Sequence, residues 1–248
     1  MDGTAFWIAA IAASIFVGMG KGGLPMIGMM GVPILSLVID PVVAAGLLLP
    51  VYVVSDMFGL VAYRRDFDKR VLMIVVPGMI AGIGLAWALA SEVPEWAVVT
   101  LVGLIGFVFS LNTLLRRKRD LPARKAEVAP GLFWGTVTGF TSFVVHSGAP
   151  PFQVYTLPLK LPKTVFAGTA TIAFAIGNGL KLIPYYALGQ LTPTSLKTAA
   201  LLAVPASIAV FAGLRLVRVI PEVLFYKIVT WALLALSLKL IWDGVAGV

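Results

Sequence analysis

The chain has 248 residues, of which 60% are hydrophobic and only 12% charged, with a mean hydropathy of +1.00. A water-facing domain carries about 25% charged residues, so soluble catalytic, DNA-binding and secreted architectures are excluded and an all-α polytopic membrane protein is expected. The net charge of +8 reads as a topology signal and not as affinity for nucleic acid, because the charges sit between apolar spans. The absence of cysteine and the single histidine remove disulfides, thiolate ligands and His-rich metal centres.

In chain order, apolar runs and their breakers predict ten helical segments, at roughly 4–19, 25–38, 42–63, 71–90, 95–115, 131–145, 150–159, 164–187, 196–214 and 222–243. The first belongs to the mature fold, since Met1-Asp2-Gly3 carries an acid where a signal peptide has Lys or Arg. The segments 4–19, 25–38, 131–145 and 150–159 are too short to cross a hydrocarbon core of about 30 Å. They come in two pairs, each joined by a Gly/Pro stretch, and each pair reads as a broken-helix hairpin that dips into the bilayer and returns.

Basic residues orient the spans. Arg64, Arg65, Lys69 and Arg70 share one loop; Arg116, Arg117, Lys118, Arg119, Arg124 and Lys125 fill the central one. Lys160 with Lys163, and Arg215 with Arg218, mark two more loops on the same face. The opposite face receives Asp2, Asp40, Glu92, Glu95 and Asp243, with Lys197 as its only clear loop cation. By the positive-inside rule the basic face is cytoplasmic, and both termini lie outside.

The halves repeat. Gly23, Pro25 and Pro33 recur 125 residues later as Gly148, Pro150 and Pro158; Ala45-Gly46, Asp56 and Tyr63 recur at offset 122 as Ala167-Gly168, Asn178 and Tyr185. Val76-Pro77 matches Val204-Pro205 at offset 128, and Pro94 with Ser110-Leu111 matches Pro221 with Ser237-Leu238 at offset 127. The expected organisation is a first repeat at 1–115, a basic cytoplasmic linker at 116–130 and a second repeat at 131–248. Each repeat has about five segments and opens with a short hairpin. Because five is odd, the second repeat is inverted, the pattern of secondary transporters whose broken helices mark the substrate site.

The first break reads Gly18-Met19-Gly20-Lys21-Gly22-Gly23-Leu24-Pro25. It contains a G-x-G-x-x-G spacing, but no strand–turn–helix unit surrounds it and no Ser/Thr follows the Gly-Lys, so nucleotide binding is discarded. The glycines allow a turn and close backbone approach, and a helix starting at Pro25 would aim its N-terminus at that turn. The second break, Val145-His146-Ser147-Gly148-Ala149-Pro150-Pro151, places a titratable imidazole where the first has a lysine. These features define a small-anion site at the bilayer midplane between two helix tips, with Gly20, Lys21, Gly22, Gly23, His146, Ser147, Gly148 and Gln153 as substrate-binding candidates. A lysine inside the membrane calls for a partner. Asp56 is the only acid well inside a span, set to pair with Lys21 or Lys181. His146, Asp56, Asn178 and Lys181 are thus candidates for proton coupling or structural pairing. Thr138, Thr141 and Ser142 offer further hydrogen bonds; the Trp, Tyr and Met residues read as packing or interface anchors. No G-x-S-x-G or H-E-x-x-H motif is present, so no catalytic residue, metal or cofactor is assigned.

The run Phe16-Val-Gly-Met-Gly-Lys-Gly-Gly-Leu-Pro25 with Pro33-Ile-Leu35, the duplicated halves and the basic central loop resemble the TauE/SafE sulfite exporter family, bacterial anion permeases of the 4-toluene sulfonate uptake permease type. The resemblance runs over nearly the whole chain. It implies a multi-pass protein of the bacterial inner membrane that exports sulfite, organosulfonates or related sulfur-containing anions. Uptake of another small organic anion is the alternative, followed by an intramembrane enzyme or a non-transporting subunit. The expected partners are the small anion and the lipid bilayer, with no nucleic acid. The oligomeric state stays open, a homodimer being one alternative.

Overall fold

The computed structural model describes residues 3–90, 92, 94–115 and 122–246. Among them every regular element is helical, as an apolar chain in lipid requires when each backbone group must be satisfied within its own segment. Eight helices are long and apolar enough to cross a membrane. Arg116, Arg117, Lys118 and Arg119 of the expected linker, together with Met1, Asp2 and Val248, lie outside the described residues.

The helices are α1 (Thr4–Lys21), α2 (Pro25–Gly28), α3 (Gly31–Leu35), α4 (Pro41–Tyr63), α5 (Lys69–Ala88), α6 (Glu95–Leu115), α7 (Val128–Val145), α8 (Ala149–Thr156), α9 (Lys163–Ala187), α10 (Pro193–Val219) and α11 (Glu222–Ala246), with a 3-10 turn at Leu157–Leu159. Their starts follow capping chemistry. The Asp40 carboxylate accepts from Val42 and Val43 N–H at the head of α4, Asp68 accepts from Val71 N–H at α5, and Thr192 with Ser195 forms a capping box at α10.

Two expectations about length are corrected. The limbs expected at 4–19 and 131–145 are longer: α1 and α7 have 18 residues each, about 27 Å of helix, and both count among the eight. α1 runs straight through Gly18 and Gly20, since glycine is a weak breaker in lipid, where no water competes for the backbone. The second limbs are less regular than expected. The run 25–38 breaks into α2 and α3 and ends in turns, and 150–159 is one short helix with a 3-10 turn.

The chain forms two compact units. Unit 1 comprises Met1–Phe67 and Ala167–Ile220, hence α1 to α4, most of α9, and α10. Here α1 packs mainly on α10, and α10 also on α4. The α1–α10 seam is made of small residues. A Cβ added at Gly22 would lie 2.6 Å from the Gly213 Cα, and one at Gly18 would strike the Ala206 carbonyl, so glycine is what permits the approach. Phe6, Ala10, Ala13, Val17, Leu35, Ala44, Leu47, Leu48, Val51, Leu202 and Ala206 close the apolar core.

Unit 2 comprises Asp68–Phe166 and Pro221–Val248. Here α5 packs along α7 and α6 along α11. Gly135 admits the Val75 backbone and Gly139 the Met79 backbone, while Gly103 lies against Ile241. Tyr155 donates to the Glu127 carbonyl and Arg70 to the Ala126 carbonyl, tying α8 and α5 to the segment before α7. In each unit, therefore, the first helix of one sequence half is held by a helix from the other half.

Candidate functional site

The first break lies wholly in unit 1. Gly20 and Gly28 cross in van der Waals contact, so that a Cβ on Gly28 would sit 3.1 Å from the Gly20 Cα. Gly23 has φ 108°, a left-handed conformation open to glycine, and its added Cβ would lie 2.7 Å from that of Ala167. The N–H groups of Gly22, Gly23 and Leu24 are all spent on the Gly18 and Gly20 carbonyls. With α2 only four residues long, this tip offers its surroundings carbonyls and a side chain more than a row of N–H donors.

Hydroxyl donors on α4 and α9 reach carbonyls of this break. The Tyr52 hydroxyl donates to the Gly28 carbonyl at 2.9 Å, Tyr63 to Gly22 at 2.7 Å and Thr171 to Lys21 at 3.3 Å. Side chains thus satisfy the acceptors that a broken helix leaves over. These clamp roles differ from the packing or interface anchoring expected of the tyrosines. The signal available was their spacing: Tyr52, Asp56, Gly59 and Tyr63 stand at i, i+4, i+7 and i+11 on α4, and Thr171, Asn178 and Lys181 at i, i+7 and i+10 on α9, one face of each helix.

That shared face carries the charges. Lys21 Nζ lies 2.8 Å from Asp56 Oδ1 and 4.9 Å from the centre of the Tyr52 ring. Asn178 donates its amide to Asp56 Oδ2 at 2.8 Å. Lys181, one turn beyond Asn178, is buried and within electrostatic reach of both Lys21 and Asp56. Of the two partners expected for Asp56, Lys21 makes the ion pair and Lys181 lies within electrostatic reach of the carboxylate. Four of the expected residues, from α1, α4 and α9, are therefore brought together: Lys21, Asp56, Asn178 and Lys181.

The second break lies in unit 2. α7 ends on His146 in the left-handed region at φ 51°, while Gly148 is right-handed; the turn residue is the imidazole-bearing one, not the expected glycine. Ser147 N–H donates to the Thr141 carbonyl, and its hydroxyl to the Val145 carbonyl at 3.1 Å. α8 starts Ala149-Pro150-Pro151, and the two prolines have no N–H to offer. Gln153, however, is fully buried, and neither atom of its amide has a hydrogen-bond partner; the hydroxyls of Thr138 and Ser237 share that condition. A Cβ at Gly106 would meet the Ser237 hydroxyl and lie 3.4 Å from the Pro150 Cβ, so Ser237 stands beside the start of α8. Buried amides without partners are costly. Among the described residues no three His, Asp or Glu side chains gather as metal ligands.

Compared with known proteins, the chain matches the family model for sulfite exporter TauE/SafE over residues 6–240. It belongs to the TauE/SafE sulfite exporter family. No curated protein and no solved structure matches it. The family fits the eight apolar helices: TauE/SafE proteins are membrane transporters, not enzymes, and the first break and its ion pair fall inside the matched residues.

Proposed function

We propose that this chain is a secondary transporter that exports small sulfur-containing anions, sulfite or organosulfonates, across the bacterial plasma membrane, with both termini outside. The observation that carries the reading is the buried cluster at the first break: two lysines, one carboxylate and one amide on the facing sides of α1, α4 and α9. Charges buried in a membrane protein are costly and mark ion or substrate pathways. Lys21, flanked by Gly20, Gly22 and Gly23, supplies the substrate's cationic contact. In unit 2, by itself, His146, Ser147, Gly148 and Gln153 form a second set of hydrogen-bonding contacts proposed for an anion.

The inverted repeat is part of this proposal. Asp56 and Asn178 are repeat mates at offset 122, and they hydrogen-bond directly to one another, as residues on a pseudo-two-fold axis would. The packing of α1 on α10 and of α7 on α5 pairs elements that the same repeat makes equivalent. Both features support a duplicated, inverted unit.

The test is flux of radiolabelled sulfite and of a small organosulfonate from proteoliposomes containing the purified chain. Export that is saturable and lost in Lys21→Met supports the reading. Flux equal to protein-free liposomes for both anions refutes it, and net accumulation under the same gradient would favour an uptake permease.

A further inference from the structure

The ion pair at the first break has the geometry of a filled anion site, and what fills it is the chain's own carboxylate. Two donors from different helices meet the two oxygens of Asp56 separately. Lys21 Nζ lies 2.8 Å from Oδ1, and the Asn178 amide lies 2.8 Å from Oδ2. Oδ1 is held by charge alone, since it makes no hydrogen bond. Both donors are set by packing. The Lys21 carbonyl accepts from Thr171, and α4 passes it at Gly59, where an added Cβ would lie 2.9 Å away; Asn178 is buried on α9. The acceptor, by contrast, hangs on rotatable side-chain bonds. A sulfonate or hydrogen sulfite likewise presents two oxygens from one central atom, the arrangement that paired charge-assisted donors recognise.

From this we infer that the transported anion binds in place of the Asp56 carboxylate, bridging Lys21 and Asn178. Asn178 is then a substrate-binding residue and Asp56 an internal competitor. The donors define the ligand class: small oxyanions with two oxygens on one atom, carboxylates included. This deepens the transport reading and rests on the same cluster. A tethered competitor acts at an effective concentration of about millimolar or more, so its removal opens the cradle to free anions. Lys181 lies within electrostatic reach of the pair. Its charge state cancels between two variants that remove the same charge at position 56 and differ in the room they leave there.

The experiment compares Asp56→Ala, which removes the carboxylate's charge and its volume, with Asp56→Asn, which removes the charge and keeps the volume. Thermal unfolding in detergent is followed with rising formate, and with chloride at equal ionic strength. Formate is the carboxylate that Asp56→Ala lacks. It should raise the melting temperature of that variant saturably, at a midpoint at least about tenfold lower than in Asp56→Asn or the parent. The double variants Asp56→Ala/Asn178→Leu and Lys21→Met/Asp56→Ala should each lose the effect. Formate that acts no better than chloride on Asp56→Ala overturns the inference. So does an equal gain in Asp56→Asn, or an effect that survives the loss of Asn178. Should Asp56→Ala fail to fold, the parent decides. Infrared difference spectra on adding methanesulfonate should show a carboxylate band that moves and that is absent from Asp56→Asn; a silent carboxylate region overturns the inference. Sulfite flux by the parent without the formate effect leaves the transport reading standing, whereas the formate effect without flux overturns that reading alone.

Discussion

The Lys21–Asp56 ion pair is the interaction on which the structure of the first break stakes most, and its worth can be measured as a coupling. Asp56 is wholly buried, with Lys21 Nζ at 2.8 Å and the Asn178 amide at 2.8 Å as its two direct partners. Lys21→Met removes the cation and leaves the carboxylate with one neutral donor. Breaking a buried pair from one side costs about 3–5 kcal/mol. Asp56→Asn should cost less, because Lys21 keeps the face of the Tyr52 ring at 4.9 Å, a cation–π contact worth about 1–2 kcal/mol when desolvated. The double variant Lys21→Met/Asp56→Asn leaves no unpaired charge in the pair, so its loss should fall short of the summed single losses by about 2 kcal/mol or more. Thermal unfolding in detergent, followed by the fluorescence of the six tryptophans, reads this directly. At about 2–4 °C per kcal/mol for a chain of this size, Lys21→Met should melt about 6–20 °C below the parent, with the double variant above it. Single variants that melt with the parent, or losses that simply add, would show that the pair contributes nothing and that Lys21 is held by packing.

The two breaks should respond differently to the same substitution. Gly23→Ala should destabilise strongly and stop export, because the new Cβ meets Tyr63 and Ala167 at a left-handed backbone position, whereas Gly148→Ala carries no such backbone penalty; equal melting temperatures for the two refute the assignment of the turn. Gln153→Leu removes a buried amide that has no hydrogen-bond partner, so the variant should be as stable as the parent or more so while export falls at least about tenfold; unimpaired flux would make Gln153 a scaffold residue. With no native cysteine to interfere, cysteines placed at Gly3 should label with an impermeant thiol reagent on intact cells, and those at Asp66 and Ala123 only after permeabilisation; the reverse pattern refutes the orientation.

What the sequence made legible was whatever lipid makes cheap to read. Apolar runs located the spans because hydrocarbon leaves no other use for them. Asp56 and Lys21 stood out because charges there are rare, and the repeat offset led from Asp56 to Asn178 before any geometry was known. The extent of α1 was misread because Gly18 and Gly20 break helices in water, yet here they are the contact surface that admits α10 and Gly28. Tyr52, Tyr63 and Thr171 were not legible as clamps, since a hydroxyl in an apolar run can reach many carbonyls and only the fold selects one. At the second break a glycine is in reach at Gly148, yet the left-handed position goes to His146.

The clamps and the charges in unit 1 are not separate features. Breaking a helix inside lipid leaves carbonyls whose desolvation costs several kcal/mol each unless a donor reaches them. Every side-chain donor found for the first break, Tyr52, Tyr63 and Thr171, stands on α4 or α9, the same two helices that carry Asp56, Asn178 and Lys181. A displacement of α1 against α4 and α9 would therefore forfeit the hydrogen bonds that support the break together with the ion pair that neutralises Lys21. Neither loss could be made good by water in a packed apolar surround. On the transport reading proposed above, α1 through its break, α4 and the facing stretch of α9 either move as one piece, or the arriving anion takes over from Asp56 at Lys21 while the three hydroxyls hold the backbone still. The second route changes only side chains and keeps every carbonyl satisfied, so the physics of the break favours it.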